Sequence, residues 1–475
     1  MFRRGEIVTL KIDAFGFGGR GIAKIPTENS FFIVFVDNAF PGQTVKAKID
    51  IKKKQYAEAK LIEVIERSPL EIPSDFQEIS GAPYIFVPRE IQKKEKIAST
   101  LTTFSKISGI KDIEAYFDGF IDSPEGYFYR NKMEYSFSRI GHDLHTGEDI
   151  EDAFVLGFKR RGTWWKVENL EKPSGLFDEK WEEKLIEICN FCKETQLPAW
   201  HPPQKNGFFR HLVVRKSFFE DKFLINLVTS SEDSQSFDSN DFTRKLIDLH
   251  GDRIGGIQWT LNDDVADRSK IENGQTKILF GKNFVEEKIA GLRFQMRMES
   301  FFQTNPKCAE LLYDKAIDYL FEGLNTEKEI LDLFCGTGTI GQLIAKRDSN
   351  LKITGVDIVE EAIVDATENA RLNGIQNVNF LVGDVGKFLK EHPHFIGNID
   401  AIMLDPPRAG IAPKTLQKTI DLGARSIVYI SCNPSTQARD AQKLLEANYT
   451  LEKFCLVDQF PHTGHIESIA KFTKI

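Results

Sequence analysis

The alternation of hydrophobic and polar residues changes character along this 475-residue chain. In residues 1–67 short alternating runs predict β-strands, and residues 16–19 and 41–42 supply glycine- and proline-containing turns. Many short strands in so few residues predict a small closed β-barrel of the oligonucleotide-binding type. The predicted strands cover residues 7–12, 31–36, 44–49 and 56–61.

The pattern becomes mixed in the middle of the chain and regular again towards its end. A helical pattern covers residues 88–108, and later alternating runs predict an antiparallel sheet. From about residue 300 strands and helices alternate, which is typical of a parallel α/β sheet. We therefore expect three domains, namely a barrel at 1–67, a mixed α+β domain at 68–299 and a Rossmann-like α/β domain at 300–475.

Composition and charge narrow the class of protein. Hydrophobic residues make up 41% and charged residues 28% of the chain, as in globular proteins. No apolar run approaches the roughly 18 residues of a membrane helix, so we expect a cytoplasmic protein without a membrane partner. The net charge is −8, yet residues 1–65 carry 11 Lys/Arg against 7 Asp/Glu. A basic module on an acidic body can bind RNA locally, and Lys52 to Lys54 followed by Tyr56 offer charge and an aromatic ring.

Six cysteines are scattered along the chain, which fits a reducing compartment. Cys189 and Cys192 form one C-x-x-C spacing inside a helical pattern. Because no second pair accompanies them, packing is favoured over a metal or redox role, and no metal site is predicted.

A glycine turn between a strand and a helix indicates a nucleotide-type site. Residues 329–334 form the strand, Gly336 and Gly338 the turn, and a second strand ends at Asp357 about twenty residues later. This spacing fits either a dinucleotide or S-adenosylmethionine, and Gly341 nearly completes the dinucleotide fingerprint. Asp332 at the end of the first strand would repel a pyrophosphate and suits an ammonium group. S-adenosylmethionine is therefore favoured.

Cys432 lies where an apolar strand turns into a helix. Asn433 can cap that helix and Pro434 suits its first turn. The positive end of the helix is expected to lower the pKa of the Cys432 thiol. Asp405 ends another strand before two prolines, and Glu467 precedes the last strand. Since ligands of open α/β sheets bind at the carboxyl ends of strands, these three residues are expected to meet over one crevice.

A thiolate beside a methyl donor suits one reaction well. Carbon 5 of uracil becomes nucleophilic when a thiolate adds to carbon 6, and a base must then remove the proton from carbon 5. The sequence offers Cys432 as the nucleophile and Glu467 as the general base.

At these residues the chain resembles the RNA uracil-5-methyltransferase family, whose members make 5-methyluridine in 23S rRNA or tRNA. The similar segments are SCNPSTQARD at 431–440, FPHTGHIE at 460–467, DLFCGTG at 332–338, DPPR at 405–408 and SFFQTN at 300–305. Residues 1–67 look like the RNA-binding TRAM domain of that family. The resemblance implies an S-adenosyl-L-methionine-dependent RNA methyltransferase with Cys432 as nucleophile and Glu467 as base. It also implies cofactor contacts from Gln303, Phe334, Thr339, Asp357, Asp384 and Asp405.

The chain departs from many TRAM-bearing relatives at their [4Fe–4S] cluster. The four ligand positions correspond to Ser74, Ser80, Pro83 and Pro173. Proline cannot ligate iron, so no iron–sulfur cluster is expected.

Two other functions remain open from the residues. An amino-group methyltransferase would also use an Asp-Pro-Pro corner, although Arg408 replaces the usual aromatic residue and Cys432 would have no role. A non-catalytic RNA-binding protein would be expected to lack part of the catalytic set. The resemblance favours rRNA as substrate, because the TRAM-like module is similar to that of rRNA-modifying relatives, and tRNA is the alternative. No protein partner is predicted.

Overall fold

The structure is a computed structural model of the chain, and it describes residues 2–28, 30–144, 146–160, 162–264, 274–324 and 329–475. Two compact units divide it. The first comprises Met1–Arg89, Gly126–Glu287 and Met296–Glu299, and the second Glu90–Glu125, Lys288–Gln295 and Ser300–Ile475. The division into domains at residues 67 and 299 stays a prediction.

The strands of the described residues are β1 Ile7–Lys11, β2 Ala14–Gly16, β3 Arg20–Pro26, β4 Phe31–Asp37, β5 Thr44–Lys52, β6 Tyr56–Glu66, β7 Phe117–Ile121, β8 Lys132–Ser138, β9 Gly141–His142, β10 Asp149–Ile150, β11 Val155–Lys159, β12 Val167–Asn169, β13 Phe209–Ser217, β14 Lys222–Thr229, β15 Ile254–Leu261, β16 Gln275–Gly281, β17 Phe284–Ile289, β18 Leu292–Arg297, β19 Glu329–Leu333, β20 Ile353–Asp357, β21 Val378–Val382, β22 Ile399–Leu404, β23 Ser426–Ser431, β24 Tyr449–Val457 and β25 Glu467–Lys474. The helices are α1 Arg89–Ser108, α2 Glu179–Glu182, α3 Leu185–Glu194, α4 Ser239–His250, α5 Pro306–Phe321, α6 Thr339–Arg347, α7 Glu360–Leu372, α8 Val385–Glu391, α9 Pro413–Asp421 and α10 Pro434–Glu446.

The N-terminal strands form one six-stranded sheet in the order β1-β5-β6-β4-β3-β2. Alternate residues of β4 are buried, namely Phe32, Val34 and Val36, as expected for strands with one face in a core. The predicted strands are present, and β2 and β3 were not foreseen. Lys53 donates its backbone N–H to the carbonyl of Tyr56, so the lysine cluster forms the exposed tip of the β5–β6 hairpin.

The second sheet of the first unit has nine strands in the order β10-β9-β12-β11-β8-β13-β14-β15-β16. The predicted antiparallel pairing is found between β8 and β13 and between β13 and β14, while β14 and β15 run parallel. Its core contains Trp181, Phe209, Leu212 and Phe242, together with Cys189 and Cys192 of α3.

The second unit is a Rossmann-like α/β sheet of eight strands in the order β21-β20-β19-β22-β23-β25-β24-β7. The ladders from β21 to β23 are parallel, whereas β25 is antiparallel to both β23 and β24. The chain crosses over between β19 and β22, and this point of an open α/β sheet is where ligands bind. The segment Glu90–Glu125, which the sequence assigned to the central region, contributes α1 and β7 to this unit.

Within the residues that the structure describes, no helix is long and apolar enough to span a bilayer.

Candidate active site

Four neighbouring parallel strands end at the same edge of the second unit's sheet, and each delivers a chemically active side chain there. Asp332 belongs to the end of β19 and Asp357 is the last residue of β20. Asp405 follows β22, and Cys432 follows β23. Of the three residues expected to meet here, Asp405 and Cys432 follow neighbouring strands, and the carboxyls of Asp405 and Glu467 both act on the Cys432 thiol.

The glycine turn after β19 is shaped around Asp332. Gly341 donates its backbone N–H to Asp332 Oδ2 over 2.9 Å, and a β-carbon at Gly341 would lie 2.8 Å from that oxygen. The third glycine of the dinucleotide-like spacing thus serves an acid of the protein itself. Asp332 Oδ1 is buried and has no hydrogen-bond partner among the described residues. Such an oxygen fits a cationic group, as in the methionine part of S-adenosyl-L-methionine, and opposes a pyrophosphate.

Asp357 organises the next loop and leaves apolar groups exposed. Its Oδ2 accepts the N–H of Gly336 and its Oδ1 that of Val359, each over 2.9 Å. Ile358, which lies between Asp357 and Val359 in sequence, is 66% exposed. An acid beside exposed apolar side chains offers a hydrogen bond acceptor for a ribose and a surface for an adenine ring.

The other expected cofactor residues differ in how far they are exposed to solvent. Asp384 caps α8 by accepting the N–H of Lys387 over 2.8 Å and is exposed. Phe334, which directly follows β19, has a positive φ of 65°, and Thr339 begins α6 and is 7% exposed.

Gln303 comes from the segment before α5 and is 8% exposed. Gln459 donates from Nε2 to Gln303 Oε1 over 3.4 Å, and Gln303 also hydrogen-bonds Tyr313. The structure thus buries Gln303 in a polar network of the second unit.

Cys432 stands at the predicted strand–helix corner. Asn433 caps α10 by accepting the N–H of Ser435 over 3.3 Å, and Pro434 occupies the first turn. The expectation that the helix would lower the pKa of the thiol is wrong. Burial, followed by the carboxyls of Glu467 and Asp405, raises the pKa of Cys432 to about 11. Loss of water and two acids outweigh the partial charge of a helix end.

Glu467 begins β25, the strand beside the one that Cys432 follows. Ser431 of β23 pairs with Ser468 of β25 in antiparallel register, so the next residues towards the site are Cys432 and Glu467. Glu467 is only 3% exposed. Burial and the nearby Asp405 raise its pKa to about 8, against a lowering effect from Arg408. Burial also raises the pKa of Asp405 to about 7.

Arg408 is a part of the site that the sequence reasoning did not select. This exposed residue lowers the pKa of both Cys432 and Glu467. Its carbonyl accepts a hydrogen bond from Asn433 Nδ2 over 3.2 Å, and its guanidinium lies 3.4 Å from His465 Nδ1. The sequence could have pointed to Arg408 by its position directly after the Asp-Pro-Pro corner, because a cation there can face the strand ends.

Gln437 is another residue that the sequence reasoning did not select, and it connects β23 to β25. Gln437 of α10 donates to the carbonyl of Tyr429 over 2.7 Å and accepts the hydroxyl of Ser468 over 2.7 Å. No sequence pattern distinguishes this glutamine from a surface residue of an amphipathic helix.

The C-x-x-C pair lies apart from any ligand cluster. Cys189 and Cys192 are buried in the core of the first unit, and burial raises the pKa of Cys189 to about 12. The part of the chain that the structure describes contains no group of three or more potential metal-ligating side chains.

The sheet order, the glycine turn and the acids at the strand ends define a methyltransferase dependent on S-adenosyl-L-methionine. The sequence profile of the tRNA (uracil-5-)-methyltransferase family matches residues 257–474, and that of the TRAM domain matches residues 2–62. The chain belongs to this family of RNA methyltransferases and carries a TRAM domain at its N-terminus.

Similar proteins extend over the whole chain. An uncharacterized RNA methyltransferase of Caldanaerobacter subterraneus subsp. tengcongensis is 36% identical over 99% of both chains. Another from Clostridium tetani is 35% identical over 98% of this chain and 97% of its own. The crystal structure of Pyrococcus abyssi tRNA (uracil-54, C5)-methyltransferase with S-adenosyl-L-homocysteine aligns with a TM-score of 0.69 and 24% identity, covering 98% of this chain and 100% of that one. This last likeness shows a shared fold.

Proposed function

We propose that the protein methylates carbon 5 of a uridine in RNA and so forms 5-methyluridine, with Cys432 as nucleophile and Glu467 as general base. The observation that carries this proposal is that Cys432 and Glu467 adjoin the paired residues Ser431 and Ser468, so that the Glu467 carboxyl acts on the Cys432 thiol. An amino-group methyltransferase needs neither a thiol nor a buried base at this place. Membership of an RNA methyltransferase family makes RNA the substrate class.

The first step is addition of Cys432 to the base. The thiolate gives an electron pair to carbon 6, a sulfur–carbon bond forms, and the electrons of the C5–C6 double bond move to carbon 5 and the adjoining carbonyl. Arg408 lowers the pKa of the thiol and so favours the thiolate. S-adenosyl-L-methionine, when bound, would supply the methyl group, which bonds to carbon 5 as its bond to the positively charged sulfur breaks and S-adenosyl-L-homocysteine leaves.

The second step is elimination with the help of Glu467. After methyl transfer, carbon 5 still carries the hydrogen that must be lost. The Glu467 carboxylate takes this proton, the electrons of the C–H bond restore the C5–C6 double bond, and the bond from carbon 6 to Cys432 Sγ breaks. A base whose pKa is about 8 is well matched to proton abstraction near neutral pH.

The acids along the strand ends are assigned to the cofactor. Asp332 offers an unpartnered carboxylate oxygen for the ammonium group, and Asp357 a carboxylate for the ribose. The remaining proposed contacts are Gln303, Phe334, Thr339, Asp384 and Asp405. Phe334, Asp384 and Asp405 follow strands of the sheet, Thr339 begins the helix after the glycine turn, and Gln303 hydrogen-bonds Tyr313, whose pKa Asp405 and Asp332 affect. These positions support the assignment.

The proposed RNA is 23S rRNA, with tRNA as the alternative. The TRAM domain and its basic hairpin tip support a substrate that extends beyond the modified uridine. The structural neighbour is named as a tRNA (uracil-54, C5)-methyltransferase, and this supports the alternative. In either RNA the target must be unpaired or flipped out, because a stacked base is unreachable.

The test combines the protein with methyl-labelled S-adenosyl-L-methionine and unmodified 23S rRNA or tRNA transcripts, followed by digestion and mass spectrometry of the nucleosides. We expect labelled 5-methyluridine from the rRNA, none with Cys432→Ala, and normal activity with Cys455→Ala, a buried cysteine of β24. Labelling of tRNA alone would establish the alternative substrate. A label on an amino group, or full activity of Cys432→Ala, would refute the proposed chemistry.

A further inference from the structure

Helix α1 buries polar residues along one face. Gln92, Lys96 and Thr100 succeed one another at intervals of four residues, so they share one face of the helix. Their exposed fractions are 3%, 2% and 1%. Burial of a lysine is costly unless the charge is paired and hydrogen-bonded. The polar side chains of this face must therefore be hydrogen-bonded or paired with specific groups, and apolar packing alone does not explain their burial.

The side chains of Gln92 and Lys96 both contact the loop between β24 and β25. Lys96 Nζ lies 2.6 Å from Asp458 Oδ1 and donates to the carbonyl of Phe460 over 3.1 Å. Gln92 Oε1 accepts the backbone N–H of His462 over 2.8 Å, and its Nε2 lies 3.1 Å from His462 Nδ1. The helix thus holds three points of a short segment that lies more than 360 residues away in sequence.

This loop, residues 458–466, leads directly to Glu467. It joins β24 to β25, and Val457 pairs with Glu467 where the loop closes. His462 has a positive φ of 64°, a conformation that a side chain with a β-carbon disfavours. The bond from Gln92 to the His462 backbone stabilises that strained residue. Farther on, His465 lies beside Arg408, which acts on Glu467.

We propose that Gln92 and Lys96 are positioning residues for the general base, because they hold the β24–β25 loop in the conformation that presents Glu467 to carbon 5 of the substrate. This inference rests on the function proposed above. It assigns a catalytic consequence to a helix that lies between the TRAM domain and the central sheet in sequence. Cys432 lies between β23 and α10, outside this loop, so the loop should affect its addition to uracil only weakly, through Arg408 beside His465.

The proposal separates two steps that can be measured apart. With 5-fluorouridine RNA the reaction stops at the covalent adduct, because fluorine cannot be removed as a proton, so trapping reports addition and methyl transfer. With uridine RNA each turnover also needs Glu467. A loose base should therefore leave trapping intact, lower turnover, and let the adduct accumulate on ordinary uridine RNA.

The decisive variant is Gln92→Met, which removes the bonds to His462 without leaving a charge buried. We expect trapping within about two-fold of wild type, turnover lower by at least about ten-fold, and an adduct on uridine RNA that survives denaturing electrophoresis, as with Glu467→Gln. Gln92→Asn, which is too short to reach the loop, should behave alike if Gln92→Met folds poorly. Lys96→Arg, which keeps the ion pair, should retain more turnover than Lys96→Met.

Two controls on the same helix exclude a general effect of damage to α1. Lys94→Met changes an exposed residue and should alter neither readout. Phe104→Leu weakens the packing of α1 on Phe454, whose ring centre is 4.4 Å away, so it should lower the melting temperature without adduct accumulation. Equal loss of trapping and turnover in both Gln92 variants, or no loss in either, would overturn the inference. If wild-type protein traps no fluorouridine adduct, the proposed function itself fails.

Discussion

Cys432 directly follows β23 and Glu467 begins β25, beside the paired residues Ser431 and Ser468 of these antiparallel strands. This register brings the two residues close together, so that the Glu467 carboxyl acts on the Cys432 thiol. Burial together with the Glu467 carboxyl raises the pKa of the Cys432 thiol, and burial raises that of Glu467. The pair is suited to consecutive steps in which one residue adds to a base and the other removes a proton from it.

The pH dependence of methyl transfer should reflect this pair. Because the pKa of Glu467 is about 8 and that of Cys432 about 11, activity should rise from pH 6.5 to pH 9 as both groups ionise. Arg408→Met removes the cation that lowers both pKa values, so its profile should move to higher pH and its activity at pH 7 should fall about ten-fold or more. Initial rates measured across this range provide the check. An unchanged profile in Arg408→Met would contradict the electrostatic role of that residue.

Asp332 should control cofactor affinity. Asp332→Asn keeps the shape of the side chain and removes its negative charge, so it should weaken binding of S-adenosyl-L-methionine by roughly 2 kcal/mol, about thirty-fold in Kd. Isothermal titration calorimetry measures this change. Asp421→Asn, at an exposed carboxyl near the end of α9, is the matched control. If both variants bind S-adenosyl-L-methionine with equal affinity, Asp332 does not contribute to cofactor binding.

The TRAM hairpin tip should contribute phosphate contacts. Replacement of Lys52, Lys53 and Lys54 by glutamine should reduce the slope of log Kd against log salt concentration by up to about 2 for single-stranded RNA, since each phosphate contact releases counterions. Filter binding at several salt concentrations gives the slope. The same substitution at Lys180 and Lys193, exposed lysines of the central region, should change it less. A slope that the tip variant leaves unchanged would place the RNA contacts elsewhere.

The purified protein should contain no iron. In place of cluster ligands the corresponding segments are held by Gln77, whose backbone N–H donates to the Pro173 carbonyl and whose Nε2 donates to the Asn169 carbonyl over 2.8 Å. Ser80 Oγ donates to the Lys159 carbonyl over 3.0 Å. Elemental analysis of protein purified without oxygen is the measurement. Stoichiometric iron and sulfide with a broad visible absorbance would contradict the prediction. In that case a cluster would hold these segments, and Gln77→Ala should change the stability of the protein little.

The sequence predicted the parts of the fold that depend on local pattern. The strand–turn–helix units around Gly336 and Cys432 were recognisable because apolar runs, glycine, asparagine and proline each have strong local preferences. The sequence assigned the segment Glu90–Glu125 to the central region, whereas α1 contacts residues near the other end of the chain, and local pattern does not show such contacts. A helical pattern reports which residues share a face, and it does not report what that face contacts.

The same distinction applies to the site. Cys432, Asp405 and Glu467 were expected together because each stands at a strand end. The pKa of Cys432 is raised, although the sequence predicted that it would be lowered. The local sequence shows the nearby helix end, but it does not show the carboxyls that lie beside the thiol. Gln437 and Gln92 escaped selection for the same reason, because their roles depend on contacts made across the sheet or along the whole chain.

The most direct test of the central claim is a covalent adduct between Cys432 and RNA. The protein, S-adenosyl-L-methionine and 5-fluorouridine-containing substrate RNA are mixed, and the denatured product is examined by electrophoresis and by peptide mass spectrometry. The account predicts a stable adduct at Cys432 that carries the methyl group, forms with Glu467→Gln and is absent with Cys432→Ala. No adduct with the wild-type protein, or an undiminished one with Cys432→Ala, would contradict it.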